Sequence, residues 1–255
     1  MRSNAVAETM LRVEQVSMRF GGLLAIDQVS LAAESGRITA LIGPNGAGKT
    51  TLFAIVTGFL RPSDGRIFYD SADITCVPPY RLARRGIART FQIVQPFASL
   101  TVRENIAVGA HLKHPARTDA PETAGDVARA VGLTPFLDSP AASLTVAGRK
   151  RLELARALAI EPRLLLLDEV LAGLNPSEIR DMVPVIHAIC DCGITIFMIE
   201  HVMQAVMSLA EHVFVLSEGR IIATGSPDAI ATDPRVVEAY LGRGAASRML
   251  EAAHG

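Results

Sequence analysis

Short apolar runs separated by turns alternate with amphipathic stretches along most of the chain. In residues 11–31 the runs are rich in Val, Leu and Ile and break at Gly21 and Gly22, a pattern that predicts antiparallel strands. Residues 37–42 form a compact apolar strand, and residues 49–58 have the composition of a helix that ends at a glycine cap. The first part of the chain is therefore predicted to be antiparallel strands followed by a strand, loop and helix.

The middle of the chain has helical signals instead. Thr101 and Glu104 form a capping box that predicts a helix from there to about Gly109. Residues 111–122 lack periodicity and hold two prolines, which predicts a loop. Further helices are expected at 124–132 and 148–160. We therefore expect a helical subdomain inserted at about residues 95–161.

Alternation of strands and helices returns after this segment. The pattern predicts strands at 164–167 and 195–199, helices at 177–190 and 202–209, and strands near Val213 and Ile221. Shorter elements are expected earlier, with strands at 66–69 and 86–91 and a basic helix at 81–85. The prediction is a single α/β domain with an antiparallel β region near the N-terminus and a C-terminal tail at 242–255.

Composition narrows the function classes. The 255 residues are 49% hydrophobic, enough to bury a sizeable core, and the formal net charge of -1 gives no global positive field for nucleic acid. Three cysteines are too few for a disulfide framework, and no His or Cys cluster completes a zinc site. We expect no export signal and no membrane span, because the strongest apolar run, 164–167, ends at Asp168.

The sequence Gly43-x-x-x-x-Gly48-Lys49-Thr50 matches a phosphate-binding loop, after an apolar strand and at the opening of a helix. Its glycines let backbone N–H groups converge on phosphate oxygens, and Lys49 can reach the β- and γ-phosphates. Thr50 offers a hydroxyl to Mg²⁺, and Thr51 can contact the α-phosphate. The alternative is a glycine-rich turn that matches by chance. The candidate nucleotide-binding residues here are Gly43, Pro44, Asn45, Gly46, Ala47, Gly48, Lys49, Thr50 and Thr51.

Two acids follow the apolar strand at 164–167. Asp168 is the candidate to hold Mg²⁺, chiefly through water, and Glu169 is the candidate to polarise an attacking water. The alternative interpretation is a pair of acids on a surface turn. The phosphate loop elsewhere in the chain favours the catalytic interpretation.

Over about residues 11–241 the chain resembles the nucleotide-binding subunit of ATP-binding cassette (ABC) transporters. The resemblance implies a P-loop NTPase (RecA-like) core, hydrolysis of ATP with Mg²⁺, and a dimer. In Arg89-Thr-Phe-Gln92, Gln92 matches the glutamine that senses the γ-phosphate and Mg²⁺ beside the groove for the membrane subunit. His201 matches the switch histidine that contacts the γ-phosphate. Phe20 stands where the family has an adenine-stacking aromatic, usually Tyr, although a Phe can equally be a core residue.

The family signature Leu-Ser-Gly-Gly-Gln is altered to Leu-Thr-Val-Ala-Gly at residues 144–148. Thr145 keeps the hydroxyl, Val146 and Ala147 replace both glycines, and Gly148 replaces Gln. In the family this segment closes over the γ-phosphate bound to the opposite subunit. Two outcomes stay open: a working site with a variant lid, or a weak composite site in an asymmetric dimer.

Within the family, several runs of residues resemble ATPase subunits of branched-chain amino acid uptake systems, a group that includes urea and short-chain amide importers. The implied partners are a second ABC ATPase subunit (the same chain or a paralogue), transmembrane permease subunits and, indirectly, a solute-binding protein, with no nucleic acid. The implied location is peripheral, on the cytoplasmic side of the inner membrane.

The sequence disfavours three other functions. A soluble cassette ATPase acting on nucleic acid or ribosomes would carry a coiled coil, a second cassette or basic extensions, which the sequence lacks. A small GTPase would need a guanine-reading Asn-Lys-x-Asp, which is absent. An ATP-binding regulatory subunit with a degenerate signature is disfavoured because Glu169 and His201 are retained.

Overall fold

The computed structural model describes residues 8–91, 96–111 and 120–241. The strands are β1 Thr9–Phe20, β2 Leu23–Glu34, β3 Ile38–Ile42, β4 Asp64–Tyr69, β5 Ala72–Asp73, β6 Ile87–Arg89, β7 Leu164–Asp168, β8 Thr195–Ile199, β9 His212–Ser217 and β10 Arg220–Gly225. The helices are α1 Lys49–Val56, α2 Pro79–Arg84, α3 Val102–Ala110, α4 Ala120–Ala130, α5 Val146–Leu158, α6 Pro176–Asp191, α7 Met203–Leu209, α8 Pro227–Ala231 and α9 Pro234–Leu241.

The strands form two sheets. The N-terminal strands make an antiparallel sheet in the order β2-β1-β4-β5. The second sheet has the order β10-β9-β3-β8-β7-β6 and is parallel except for β10, which runs antiparallel to β9. Strands β3, β7 and β8 are buried along their whole length, as expected for near-continuous apolar runs in a parallel sheet.

The parallel sheet separates two hydrophobic cores. Ile38, Ala40 and Ile42 of β3 face the core formed with most of the helices, whereas Leu41 faces the core shared with the antiparallel sheet and α1. This division follows from the alternation of side chains along a strand. The result is a three-layer α/β architecture, which confirms the predicted fold class.

The predicted helical middle contains α3, α4 and α5, which pack against one another. Thr101 and Glu104 form the expected capping box at the start of α3. Helix α5 begins at Val146, two residues before its predicted start, because the Thr145 hydroxyl accepts a hydrogen bond from the Gly148 N–H at 3.1 Å and caps the first turn.

Other boundaries also differ from expectation. Helix α4 begins at Ala120, inside the segment 111–122 that was predicted to be a loop. Helices α8 and α9 were not predicted, although Pro227 and Pro234 at their first positions are a common helix-start signal. The predicted tail, 242–255, lies outside the described residues. Among the helices that are described, none is both long and apolar enough to cross a bilayer.

Candidate functional site

The predicted phosphate loop connects the carboxyl end of β3 to the first turn of α1. Gly43 and Gly48 have positive φ angles of 150° and 107°. A Cβ on Gly43 would lie 1.9 Å from the Leu216 carbonyl oxygen, and one on Gly48 would lie 2.8 Å from the Ala25 carbonyl oxygen. These two glycines are therefore required by the crowding of the chain's own backbone, in addition to the phosphate approach expected from the sequence.

Lys49 is almost fully buried inside this loop. Its Nζ donates to the Gly43 carbonyl oxygen at 2.7 Å and to the Pro44 carbonyl oxygen at 3.0 Å. Burial lowers the pKa of the ammonium, while the carboxylates of Glu169 and Asp168 act in the opposite direction. Lys49 thus holds the loop in shape through contacts that a phosphate oxygen could replace.

The N-terminus of α1 is open. Its N-cap residue, Gly48, makes no side-chain capping hydrogen bond, so the first-turn N–H groups lack a partner of that kind. Such a helix end favours an anion because of its exposed donors and the helix dipole.

A cavity of about 1130 Å³ covers this helix end. Twelve of the predicted residues line it: Phe20, Gly43, Pro44, Asn45, Gly46, Ala47, Gly48, Lys49, Thr50, Thr51, Glu169 and His201. The structure therefore brings the phosphate loop, the second acid of the apolar strand and the candidate switch histidine to one place.

Asp168 ends β7 and is almost completely buried. Its Oδ2 accepts a hydrogen bond from Arg89 Nη2 at 2.6 Å, and its backbone N–H donates to the Thr90 hydroxyl at 3.0 Å. Within the described residues, its Oδ1 has no hydrogen-bond partner. Arg89, which has no role predicted from the sequence, thus fixes one of the two carboxylate oxygens.

These features fit Mg²⁺. Asp168 and Thr50 line the same second cavity, of about 610 Å³, and supply the oxygen donors that this ion prefers. In the described part of the chain, no group of three or more His, Cys, Asp or Glu side chains could hold a metal by itself. The donor set therefore suits an ion that is held jointly by the protein and by phosphates.

Glu169 follows Asp168 in a left-handed backbone conformation, with φ of 49°. Its N–H donates to the Ile199 carbonyl oxygen at 3.0 Å, and its own carbonyl oxygen accepts from the Ala172 N–H at 3.1 Å and from Lys150 Nζ at 3.2 Å. These contacts fix the turn so that the Glu169 side chain lines the large cavity. His201 Nδ1 lies 3.8 Å from Glu169 Oε1.

A third acid was missed by the sequence analysis. Glu200 is completely buried at the end of β8, and its Oε1 accepts from the Leu171 N–H at 3.0 Å. Burial raises the pKa of Glu200 to about 7, Glu169 adds to the increase, and the N–H groups of Leu171 and His201 and the charge of Lys150 oppose it. An acid directly after a buried strand, the signal that identified Asp168, could have identified Glu200 as well.

The Phe20 ring is 45% exposed at the mouth of the large cavity, so it is not a core side chain. Tyr240 of α9 lines the same cavity and was also missed. Burial raises the pKa of the Tyr240 hydroxyl, and an interaction with the Gly43 N–H opposes that shift. Tyr240 was not predicted to contribute because helix α9, which begins at Pro234 and carries it, was itself not predicted.

The remaining predicted residues lie elsewhere. Thr145, Ala147 and Gly148 stand at the N-terminus of α5, do not line the large cavity, and are flanked by Val146, whose side chain is 56% exposed. Gln92 lies outside the described residues. The described residues therefore assemble a nucleotide-sized site and present a separate, outward-facing helix end.

Sequence comparison gives two matches to family models. Residues 26–172 match the family described as "ABC transporter", and residues 220–246 match the one described as "Branched-chain amino acid ATP-binding cassette transporter".

Individual relatives agree with these matches. The chain is 39% identical to the high-affinity branched-chain amino acid transport ATP-binding protein BraF of Pseudomonas aeruginosa, over 93% of this chain and 99% of the relative. It is 37% identical to the corresponding protein LivG of Escherichia coli K12 over the same shares. The ADP conformation of MJ1267, an ATP-binding cassette of an ABC transporter, superposes with a TM-score of 0.85 at 33% identity, covering 92% of this chain and 99% of that one.

Proposed function

Since the chain belongs to the ATPase family of ABC transporters, we propose that it powers uptake of branched-chain amino acids or closely related amides, including urea. It is the ATP-hydrolysing subunit of an import system. The solute assignment is supported by the named relatives, since an ATPase subunit does not itself contact the transported molecule. Its place is at the cytoplasmic face of the inner membrane, bound to permease subunits.

One observation carries the catalytic proposal: Lys49, Glu169 and His201 line a single cavity over the open N-terminus of α1. Lys49 exchanges its loop carbonyl contacts for the β- and γ-phosphates of ATP. The N–H groups at the start of α1 bind the same phosphates, with Thr51 at the α-phosphate, and Phe20 stacks on the base.

Thr50 and Asp168 are the residues that would hold Mg²⁺, the latter chiefly through water, with Gln92 as a further contact. When bound, Mg²⁺ neutralises charge on the phosphates. Arg89 keeps Asp168 Oδ2 engaged at 2.6 Å, which leaves the buried Oδ1 for this purpose.

Glu169 orients the attacking water and accepts its proton, a role for which its fixed turn and its position at the cavity wall are suited. His201, 3.8 Å from Glu169 Oε1, contacts the γ-phosphate. The lid comes from a second ATPase subunit, whose segment corresponding to Thr145, Ala147 and Gly148 closes on that phosphate. Two subunits, identical or paralogous, therefore close on ATP and open after hydrolysis.

The permease subunits have a candidate docking surface at Phe59 and Phe91, the second of which precedes Gln92 in the sequence. Phe59 and Phe91 are each about half exposed, and their rings meet edge to face with centroids 5.9 Å apart. Exposed aromatic side chains grouped in this way are typical of protein interaction sites. Isolation of the intact complex from membranes, followed by identification of its subunits, tests whether permease subunits and a solute-binding protein are its partners.

The catalytic proposal is tested by Glu169→Gln. The variant should bind ATP like the wild type and nearly lose hydrolysis, because only the water-activating carboxylate is removed. Glu218→Gln is the matched control, since Glu218 lines the same cavity from the turn after β9 and should keep turnover. Wild-type turnover in the purified Glu169→Gln complex would contradict the role assigned to Glu169.

A further inference from the structure

Lys150 lies on α5, the helix whose N-terminus would serve a partner's nucleotide, yet its side chain points into its own chain. It is 6% exposed, and its Nζ donates to the Glu169 carbonyl oxygen at 3.2 Å. A lysine is rarely buried to this extent unless its charge is compensated.

Two carboxylates, those of Glu153 and Glu200, interact with this charge. The Lys150 ammonium lowers the pKa of Glu153 and of Glu200, in both cases against the larger effect of burial. Glu200 in turn accepts from the Leu171 N–H, two residues after Glu169. Lys150 and Glu200 therefore hold the turn at residues 169–171 from two sides.

Glu153, one turn after Lys150 on the same helix, makes a second contact with a neighbouring segment. It accepts a hydrogen bond from the Phe91 N–H, immediately before Gln92. Residues three apart share one face of a helix. This face of α5 thus reaches both the catalytic turn and the start of the segment that contains Gln92.

We propose that Lys150 is a positioning residue for Glu169, through which the helix that covers the partner's ATP also sets the water-activating carboxylate of its own chain. The left-handed conformation of Glu169, with φ of 49°, is sparsely populated and persists only where surrounding contacts enforce it. A hydrogen bond to its carbonyl oxygen is such a contact. Movement of α5 on closing over one ATP therefore changes the geometry at the other.

This inference rests on the proposed role of Glu169, and Lys150→Met tests it. The variant removes the hydrogen bond and the charge while keeping the length of the side chain. We expect kcat for ATP to fall about 10- to 100-fold, as misplaced catalytic groups commonly cause, with KM and ATP-driven dimer closure unchanged. Lys150→Arg, which retains a cationic donor, should restore most of the turnover.

Arg151→Met is the matched control. Arg151 is the next residue of the same helix and also donates to backbone carbonyl oxygens, but those of Val131 and Asp181, at 2.7 and 3.2 Å. Its loss should leave kcat within about two-fold of wild type, since the catalytic turn is untouched. Equal losses in the two variants would overturn the proposal.

A double-mutant cycle separates positioning from lid function. If Lys150 acts through Glu169, adding Lys150→Met to Glu169→Gln should cause little further loss of the residual single-turnover rate. Multiplicative losses, or a raised KM with impaired closure, would place Lys150 in the lid instead and overturn the inference. Should Lys150→Met fold poorly by thermal melting, Lys150→Gln, whose shorter amide does not reach the carbonyl, is measured in its place with the same expectations.

The failure of each proposal is distinguishable. Normal turnover in Glu169→Gln removes the catalytic role of Glu169 itself. Suppose instead that Glu169→Gln loses turnover, while Lys150→Met and Arg151→Met turn over ATP at equal rates. That result would contradict only the role proposed for Lys150.

Discussion

The phosphate loop and the signature segment are both helix N-termini, but they are completed differently. The N-cap residue of α1 is Gly48, which provides no side-chain cap, whereas that of α5 is Thr145, whose hydroxyl accepts a hydrogen bond from the Gly148 N–H. The first end needs a ligand to satisfy its donors, and the second satisfies one of them within the chain. The difference suits a loop that binds the chain's own nucleotide and an exposed segment that meets another chain's nucleotide.

The same contrast explains where the sequence follows the family and where it departs. A Cβ on Gly48 would lie 2.8 Å from the Ala25 carbonyl oxygen, whereas the nearest atoms to a Cβ on Gly148 would be side-chain atoms of Leu144 and Thr145, at 3.2 to 3.5 Å. Val146 and Ala147 stand in the first turn of α5, where they favour helix over the glycines of the family pattern. Any unfavourable effect of these two side chains is on the approach of a partner's phosphate and not on the folding of this chain.

The largest effect is expected for Gly48→Ala. The φ of 107° and a Cβ 2.8 Å from the Ala25 carbonyl oxygen should distort the loop and weaken ATP binding at least about 100-fold. Titration with a fluorescent ATP analogue measures this. Gly36→Ala is the control, because Gly36 has a φ of 67° in open space before the other end of β3. A comparable weakening of ATP binding in Gly36→Ala would show that backbone strain outside the phosphate loop has the same effect, and would contradict a specific role for Gly48.

Next in size is Ala147→Asp. An added anion at the start of α5 should repel the γ-phosphate held by the partner and block ATP-driven dimer closure, while ATP binding to the separate subunit stays normal. Crosslinking or gel filtration with ATP measures closure. Ala147→Asn is the control, because Asn has nearly the same size as Asp but no charge. Its dimer should close more readily than that of Ala147→Asp. Normal closure of the Asp variant would mean that this segment is not a phosphate lid, and the contrast between the two helix ends would fail.

Much of this could be predicted from the sequence because the signals are local. The glycine loop and the acids after an apolar run depend on a few adjacent residues, and they identified Lys49 and Glu169. Glu200 carries the same local signal, but the contacts of Lys150 and Glu200 could not be predicted in this way, since they join residues 19 and 29 positions apart. The start of α5 was misplaced for a different reason: Thr145 caps the helix, which begins at Val146, while the prediction began at Gly148.

The smallest effect concerns the pH dependence of the stability of the folded chain. The pKa of Glu200 is about 7 in the folded chain against an ordinary value of 4.5, so the folded state binds the extra proton between these values. Stability from this group is complete below about pH 4.5 and is lost as the pH rises towards 7. Glu200→Gln cannot ionise, and its melting temperature should gain on the wild type between pH 5 and pH 8, equivalent to at most about 3 kcal/mol. Glu211→Gln, at an exposed position, should track the wild type at both values. A pH-independent difference for Glu200→Gln would show that the folded chain holds this buried carboxyl ionised, and that Lys150 compensates its charge fully.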